Sequence, residues 1–177
     1  MSTDYLSAAE TAKIIRRALT DAFPNVKFYV RSDSYSGGAS IDVFYDGLAG
    51  YERLSACHCH NGPTIEAGSP NYCTKCHYTG RIEAIYKPGM PSVQAVRSIT
   101  DHFSGRGFDG MIDLAYHIDA YVDRDLRVLG TRSSGTGGSR GSVPAWDDAP
   151  DRYDRVVSFG SDSVYVRAEL PYDIAHK

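Results

Sequence analysis

The sequence lacks any apolar run approaching the roughly 20 residues that cross a membrane. Its opening stretch, MSTDYLSAAETAKIIRR, has no apolar segment of the length a signal peptide needs. A cytoplasmic, reducing setting with no membrane partner is therefore expected. Also missing are H-E-x-x-H and G-x-x-x-x-G-K-[ST], the usual signatures of zinc proteases and phosphate loops. Gly137-Gly-Ser-Arg-Gly141 matches G-x-S-x-G in spacing but has no strand-to-helix context for a nucleophile. Positive charge is not in excess: 19 Lys and Arg against 22 Asp and Glu leave a formal charge of −3. Such a balance argues against a surface that attracts nucleic acid everywhere, while leaving room for a local basic patch. Tryptophan occurs once, and 13 tyrosines against 6 phenylalanines make an aromatic set that serves half-exposed sheets and binding faces alike.

Cysteine is scarce as well. All 4 stand together as Cys57-His-Cys59 and Cys73-Thr-Lys-Cys76. Two close thiol pairs suit one tetrahedral zinc ion, with Cys57, Cys59, Cys73 and Cys76 as ligands and His58, His60 or His77 as alternates. A filled set of four leaves no open coordination position, so the expected metal is structural. The alternatives are two disulfides or four buried thiols, and the absence of a secretion signal favours the metal. A redox centre would need a βαβ setting that the pattern does not offer.

What remains is ordinary for a globular chain of 177 residues, with 42% hydrophobic and 23% charged residues. Ser7-Ala-Ala-Glu10 is a capping box, followed by Ala8, Ala12, Ile15, Leu19 and Ala22 at helical spacing, and Pro24 closes the helix. Residues 26–31 alternate as a strand, Ser34–Gly38 reads as a turn, and Ile41, Val43 and Tyr45 line one face of a second strand. Gly37 and Gly38 permit the backbone angles of a hairpin connection. Residues 48–90 hold the cysteines and few apolar side chains, so a staple is expected there. A second helix starts at Pro91-Ser92 with Val93, Val96, Ile99 and Phe103 on one stripe. From Ile112 to Val122 strict alternation predicts one long strand, with Asp109-Gly110 as the preceding turn and Phe108 and Met111 as core plugs. Residues 130–150 carry 5 glycines and 4 serines without periodicity, which reads as a flexible loop. Short strands around Val156–Phe159 and Val164–Leu170 end the pattern.

The expected fold class is α+β, two helices packed on a mainly antiparallel sheet. Residues 1–47 and 91–177 form its core domain, and residues 48–90 are a zinc-stapled insert between the first hairpin and the second helix.

Glu10-Thr-Ala-Lys-Ile-Ile-Arg-Arg-Ala-Leu, Phe23-Pro, Val26-Lys-Phe-Tyr-Val-Arg-Ser32, Tyr35-Ser-Gly-Gly-Ala-Ser-Ile41-Asp-Val43 and Phe108-Asp-Gly-Met-Ile-Asp113 together resemble a large polyvalent protein-associated domain, subtype twenty-nine. The matching pieces span residues 8–46 and 91–122. The resemblance implies a phage or conjugative-element protein working in a bacterial host cell, helping incoming DNA or countering host defences. It brings no catalytic residues to carry over. The cysteine segment departs from the family pattern as an insertion.

Three groups are candidates for chemistry. Asp113, His117 and Asp119 fall opposite the apolar row, with Asp123 and Asp125 beyond, as a divalent-metal hydrolase or nuclease would use. Alternate strand residues sit about 7 Å apart, however, too far for Asp113 and Asp119 to share one ion. Lys13, Arg16 and Arg17 on the first helix, with Lys27, Tyr29 and Arg31 on the next strand, form a possible nucleic-acid face. Lys75, within the second cysteine pair, and His77 and Arg81, after it, suit nucleic acid or protein equally. Arg132 and Arg140 in the glycine-rich loop could touch a phosphate backbone. The expected function is an accessory protein that binds nucleic acid or a host replication or defence protein, with one structural zinc and no catalysis. The rival is the metal-dependent hydrolase.

Overall fold

Ser7 and Glu10 close the capping box: the Glu10 amide donates to Ser7 Oγ at 3.3 Å, and the Ser7 amide donates to Glu10 Oε2 at 2.9 Å. Two of the four orphan donors at the helix start are thereby satisfied. The helix that follows buries Ala8, Thr11, Ala12, Ile15 and Leu19. Ala22, its last residue, is exposed.

The computed structural model describes residues 3–53, 82–109, 114–138, 140–143 and 145–170. In chain order the elements are β1 (Asp4–Leu6), α1 (Ala8–Ala22), β2 (Phe28–Tyr35), β3 (Gly38–Asp46), β4 (Leu48–Arg53), β5 (Ile82–Tyr86) and α2 (Val93–Thr100), which tightens into a 3₁₀ turn at Asp101–Phe103. Then come β6 (Arg106–Asp109), β7 (Leu114–His117), β8 (Asp119–Val122), β9 (Val128–Ser133), β10 (Thr136–Gly138), β11 (Gly141–Val143), β12 (Trp146–Asp147), β13 (Arg155–Phe159) and β14 (Ser163–Glu169). Among the described residues no helix is long and apolar enough to cross a membrane.

The fold is α+β, as expected, with a mostly antiparallel strand pattern split among several sheets. Two compact units divide the chain: Met1–Phe44 with Gln94–Arg167, and Tyr45–Val93 with Ala168–Lys177. The first holds a five-stranded sheet in the order β1-β13-β8-β9-β12, antiparallel except where β1 runs parallel to β13. A three-stranded sheet has the order β14-β3-β2. The β2–β3 connection is only Ser36-Gly37, and a link this short requires an antiparallel hairpin. Gly37, at φ +95°, supplies the left-handed conformation the turn needs. Ile41 and Val43 on β3 and Val122 and Val157 in the larger sheet are fully buried core residues.

The second unit contains β4 paired antiparallel with β5, from Leu48 opposite Tyr86 to Arg53 opposite Ile82. Lys87 forms an ion pair with Asp46, and the Lys87 amide donates to Gly47 O at 2.9 Å. Tyr45, with its ring fully buried, donates its hydroxyl to Pro91 O at 2.8 Å.

Three expectations need correction. The single strand over 112–122 is two strands, because the chain changes partners at Ile118. β7 pairs with β6, whereas β8 pairs with β9 and β13, and the Ile118 amide donates to Gly105 O at 2.9 Å. Phe108 is no core plug: its ring is 66% exposed on β6, which among the described residues pairs with β7 alone. Met111 lies outside the described residues. Residues 130–150, expected as a flexible loop, contain β10, β11, β12 and most of β9. Strands of 3, 3 and 2 residues are too short to display an alternating pattern.

Candidate functional site

Along β2, Val30 turns inward and is buried, so Tyr29 and Arg31 share the opposite face of the strand. Tyr29 stacks on Phe44 of β3 with ring centroids 5.1 Å apart and planes 6° from parallel. The Lys27 ammonium lies 4.9 Å from the Tyr29 centroid, and the Arg31 guanidinium lies 5.2 Å from the Phe44 centroid. The result is a row of cation, ring, ring and cation across two strands. Each contact is a cation–π attraction that fixes a long side chain while leaving its charge near solvent. Phe44 is absent from the sequence-based set. Its signal is its parity, since it falls out of step with Ile41, Val43 and Tyr45 and so faces the other side of β3.

The α1 cations are engaged elsewhere. Arg16 Nη2 donates to Val30 O at 2.8 Å, Arg17 donates to Asp125 O, and Lys13 stands near the Glu10 carboxylate.

The His117 and aspartate row does not converge. Asp119 Oδ2 accepts from both Nε and Nη2 of Arg132 at 3.1 Å, its neighbour across β8–β9. Arg132 also lies over the Tyr121 ring at 5.8 Å, and Tyr121 donates to Asp147 Oδ1 at 2.6 Å. Donation to Asp147, then burial, raises the Tyr121 hydroxyl above its ordinary value. Burial works to lower the Arg132 pKa, but its bonds to Asp119 and Tyr121 outweigh that and raise it. Asp123 accepts from the amides of Asp125 and Arg127 at 2.9 Å, which fastens a turn rather than a metal. Among the described residues no group of three His, Cys, Asp or Glu is placed to hold a metal ion. Asp113 lies outside them.

Two clefts meet at His117 in the first unit. One, of about 450 Å³, is lined by the Asp119–Arg132–Asp147 network and by Trp146. The other, of about 460 Å³, runs past Tyr5, Ser34, Arg106, His117, Ser158 and Asp162, with Gly37, Gly38, Gly105 and Gly160 along its walls. At Gly105 the backbone approaches Phe159 O so closely that any side chain would collide with it. Gly105 N donates to Ser161 O at 2.9 Å, and Gly160 N donates to Leu6 O at 2.6 Å, which binds the wall together. Asp162 is its electrostatic centre. Its Oδ1 lies 3.2 Å from Arg106 Nε, and its Oδ2 accepts from the Ala39 amide at 3.2 Å and from the Tyr35 hydroxyl at 3.5 Å. Burial and the Asp162 charge raise the Tyr35 pKa. Of these cleft residues only His117 is a functional candidate from sequence, because a cleft assembled from five distant segments leaves no local spacing to find.

The cysteines 57, 59, 73 and 76, the histidines 58, 60 and 77, Lys75 and Arg81 all lie outside the described residues. The strands on either side, β4 and β5, do bring residues 53 and 82 together as paired neighbours.

No curated protein and no solved structure matches the chain. The second stretch that carried the family resemblance, residues 91–122, lies outside the family match. Residues 6–49, which comprise α1, the β2–β3 hairpin and the edges of β1 and β4, match the model of the family described as large polyvalent protein associated domain 29.

Proposed function

We propose that this protein is a non-catalytic accessory factor of a phage or mobile element that binds nucleic acid through the outward face of β2 and β3. The family match supplies the mobile-element context. The observation that carries the reading is the row Lys27–Tyr29–Phe44–Arg31, in which two cations are held in fixed places by stacked rings. Exposed cations at set spacing meet phosphates, whereas Phe44 is too buried to stack on a base. The expected binding is therefore backbone-directed, tolerant of sequence and strongly dependent on salt. A zinc staple on Cys57, Cys59, Cys73 and Cys76 is part of the same proposal, supported by thiol chemistry and spacing.

The test is fluorescence anisotropy of labelled single- and double-stranded DNA and RNA across a salt series, with magnesium present. Wild type should bind at low salt, and Lys27→Gln with Arg31→Gln should weaken binding to every sequence. The logarithmic salt slope should fall by about one for each phosphate that the double variant no longer neutralises. An unchanged slope in the double variant, or no binding at low salt, sinks the reading and moves the search to a host protein. Strand cleavage that disappears in His117→Ala would instead favour the hydrolase.

A further inference from the structure

We infer that the glycine-walled cleft is a second, separate site, one that takes a terminal phosphomonoester attached to a flat base, as in a nucleoside monophosphate. Its volume, about 460 Å³, falls within the range of small-molecule sites. The inference rests on which polar groups already have partners. In the neighbouring cleft, Asp119, Arg132, Tyr121 and Asp147 bond to one another, and Arg132 also donates to Thr3 Oγ1 at 3.1 Å.

In the glycine-walled cleft the donors are open. Asp162 engages Arg106 through Nε. The two terminal nitrogens of that guanidinium have no partner among the described residues. The same holds for the side chains of His117, Ser34 and Ser158. The cleft's carboxylate, Asp162, already has both oxygens occupied by Arg106, Ala39 and Tyr35. The cavity's unpartnered polar side chains can all donate, and its one lining carboxylate is already engaged.

A phosphomonoester has the complementary character, with three strong acceptor oxygens and negative charge. With the Asp162 carboxylate beside Nε, the guanidinium's terminal edge stays available for two parallel bonds to phosphate oxygens. Arg106 and His117 are directly opposed across β6 and β7, so the cation and the imidazole arrive side by side. Tyr5, 71% exposed on the rim, provides a flat ring on which a base can stack. The start of α1 also borders the cleft but contributes nothing, because the Glu10 carboxylate already occupies it.

Titration calorimetry of the full chain with inorganic phosphate, adenosine and adenosine 5′-monophosphate tests the site. The monophosphate should bind, and adenosine should bind at least about tenfold more weakly, as loss of charge-assisted bonds requires. Arg106→Gln should cost roughly the same factor. Because that change also removes the pair with Asp162, His117→Gln and Ser158→Ala serve as variants that disturb no bond among the described residues. Each should weaken the monophosphate, while Tyr5→Ala should weaken the monophosphate but spare inorganic phosphate. Equal affinity for adenosine and its monophosphate overturns the inference, and so does unchanged affinity in His117→Gln and Ser158→Ala together.

Oligonucleotides with and without a 5′-phosphate separate the two sources of this chemistry. Tighter binding of the phosphorylated end assigns the cleft to strand ends, and displacement by the free monophosphate alone assigns it to nucleotides. Lys27→Gln with Arg31→Gln should leave monophosphate binding intact, so this site and the β2–β3 face can fail independently.

Discussion

Tyr45 is a fully buried tyrosine whose hydroxyl donates to Pro91 O at 2.8 Å. Burial, and then the neighbouring Tyr86, push its ionisation far above the ordinary value of 10.0. In the unfolded chain the hydroxyl would lose its proton near pH 10. Above that pH the unfolded state holds fewer protons than the folded one, so stability is intact below about pH 10 and falls as pH rises further. Tyr35 and Tyr121 are shifted in the same direction and add to the decline. Urea midpoints measured from about pH 8 to about pH 11.5 should drop in wild type. Tyr45→Phe should begin about 1 kcal/mol less stable from the lost hydrogen bond, and should decline less steeply. An identical slope in the two proteins would show that another group governs the alkaline limit. The inward aim of Tyr45 is legible in the sequence, because it continues the alternation of Ile41 and Val43. The exposure of Phe108 is not, because among the described residues its strand pairs with a single neighbour, and partnership is not written in local pattern.

Elements divide by length in how plainly they announce themselves. α1 carries both a cap and four turns of periodicity, and its start at Ala8 after Ser7 agrees with the capping box read from sequence. Its stability should hang measurably on that cap. Ser7→Ala removes the acceptor for the Glu10 amide and is expected to cost about 1 kcal/mol in urea unfolding, whereas Ser7→Asp should retain most of it. If Ser7→Ala is neutral, α1 is held by packing alone. The short elements are illegible for a different reason. β4 and β5 lie in a stretch that reads as apolar-poor, and their pairing depends on partners separated by residues 54–81. β9 to β12 are strands of 6, 3, 3 and 2 residues whose glycines mimic a linker. The break at Ile118 is hidden because alternation continues unbroken across a change of sheet. At the candidate sites, Lys27, Tyr29 and Arg31 are visible as a local cluster. Phe44 and the Arg106–Asp162 pair need the third dimension.

At the scale of the whole molecule, the two compact units call for different means of support. The first has a buried aliphatic core in Ile15, Leu19, Ile41, Val43, Val96, Val122 and Val157. The second contains the cysteine segment, for which zinc is the proposed staple. Elemental analysis of untagged protein should find one zinc per chain. Chelation should raise hydrogen exchange in residues 45–93 while the fluorescence of Trp146, in the first unit, stays constant. Absence of zinc together with two disulfides in the mass spectrum rules the staple out.

The pairing of Arg53 with Ile82 makes the β4–β5 hairpin a socket. Paired residues on antiparallel strands lie about 4.5–5.5 Å apart. A two-residue turn can bridge that gap. Any passenger whose two ends meet at that distance can be spliced there, and the entropic cost of a longer one grows only logarithmically with its length. The same stem would therefore accept a bare turn or a foreign module in place of residues 54–81, and a chain shortened in that way is expected to keep the β4–β5 pairing.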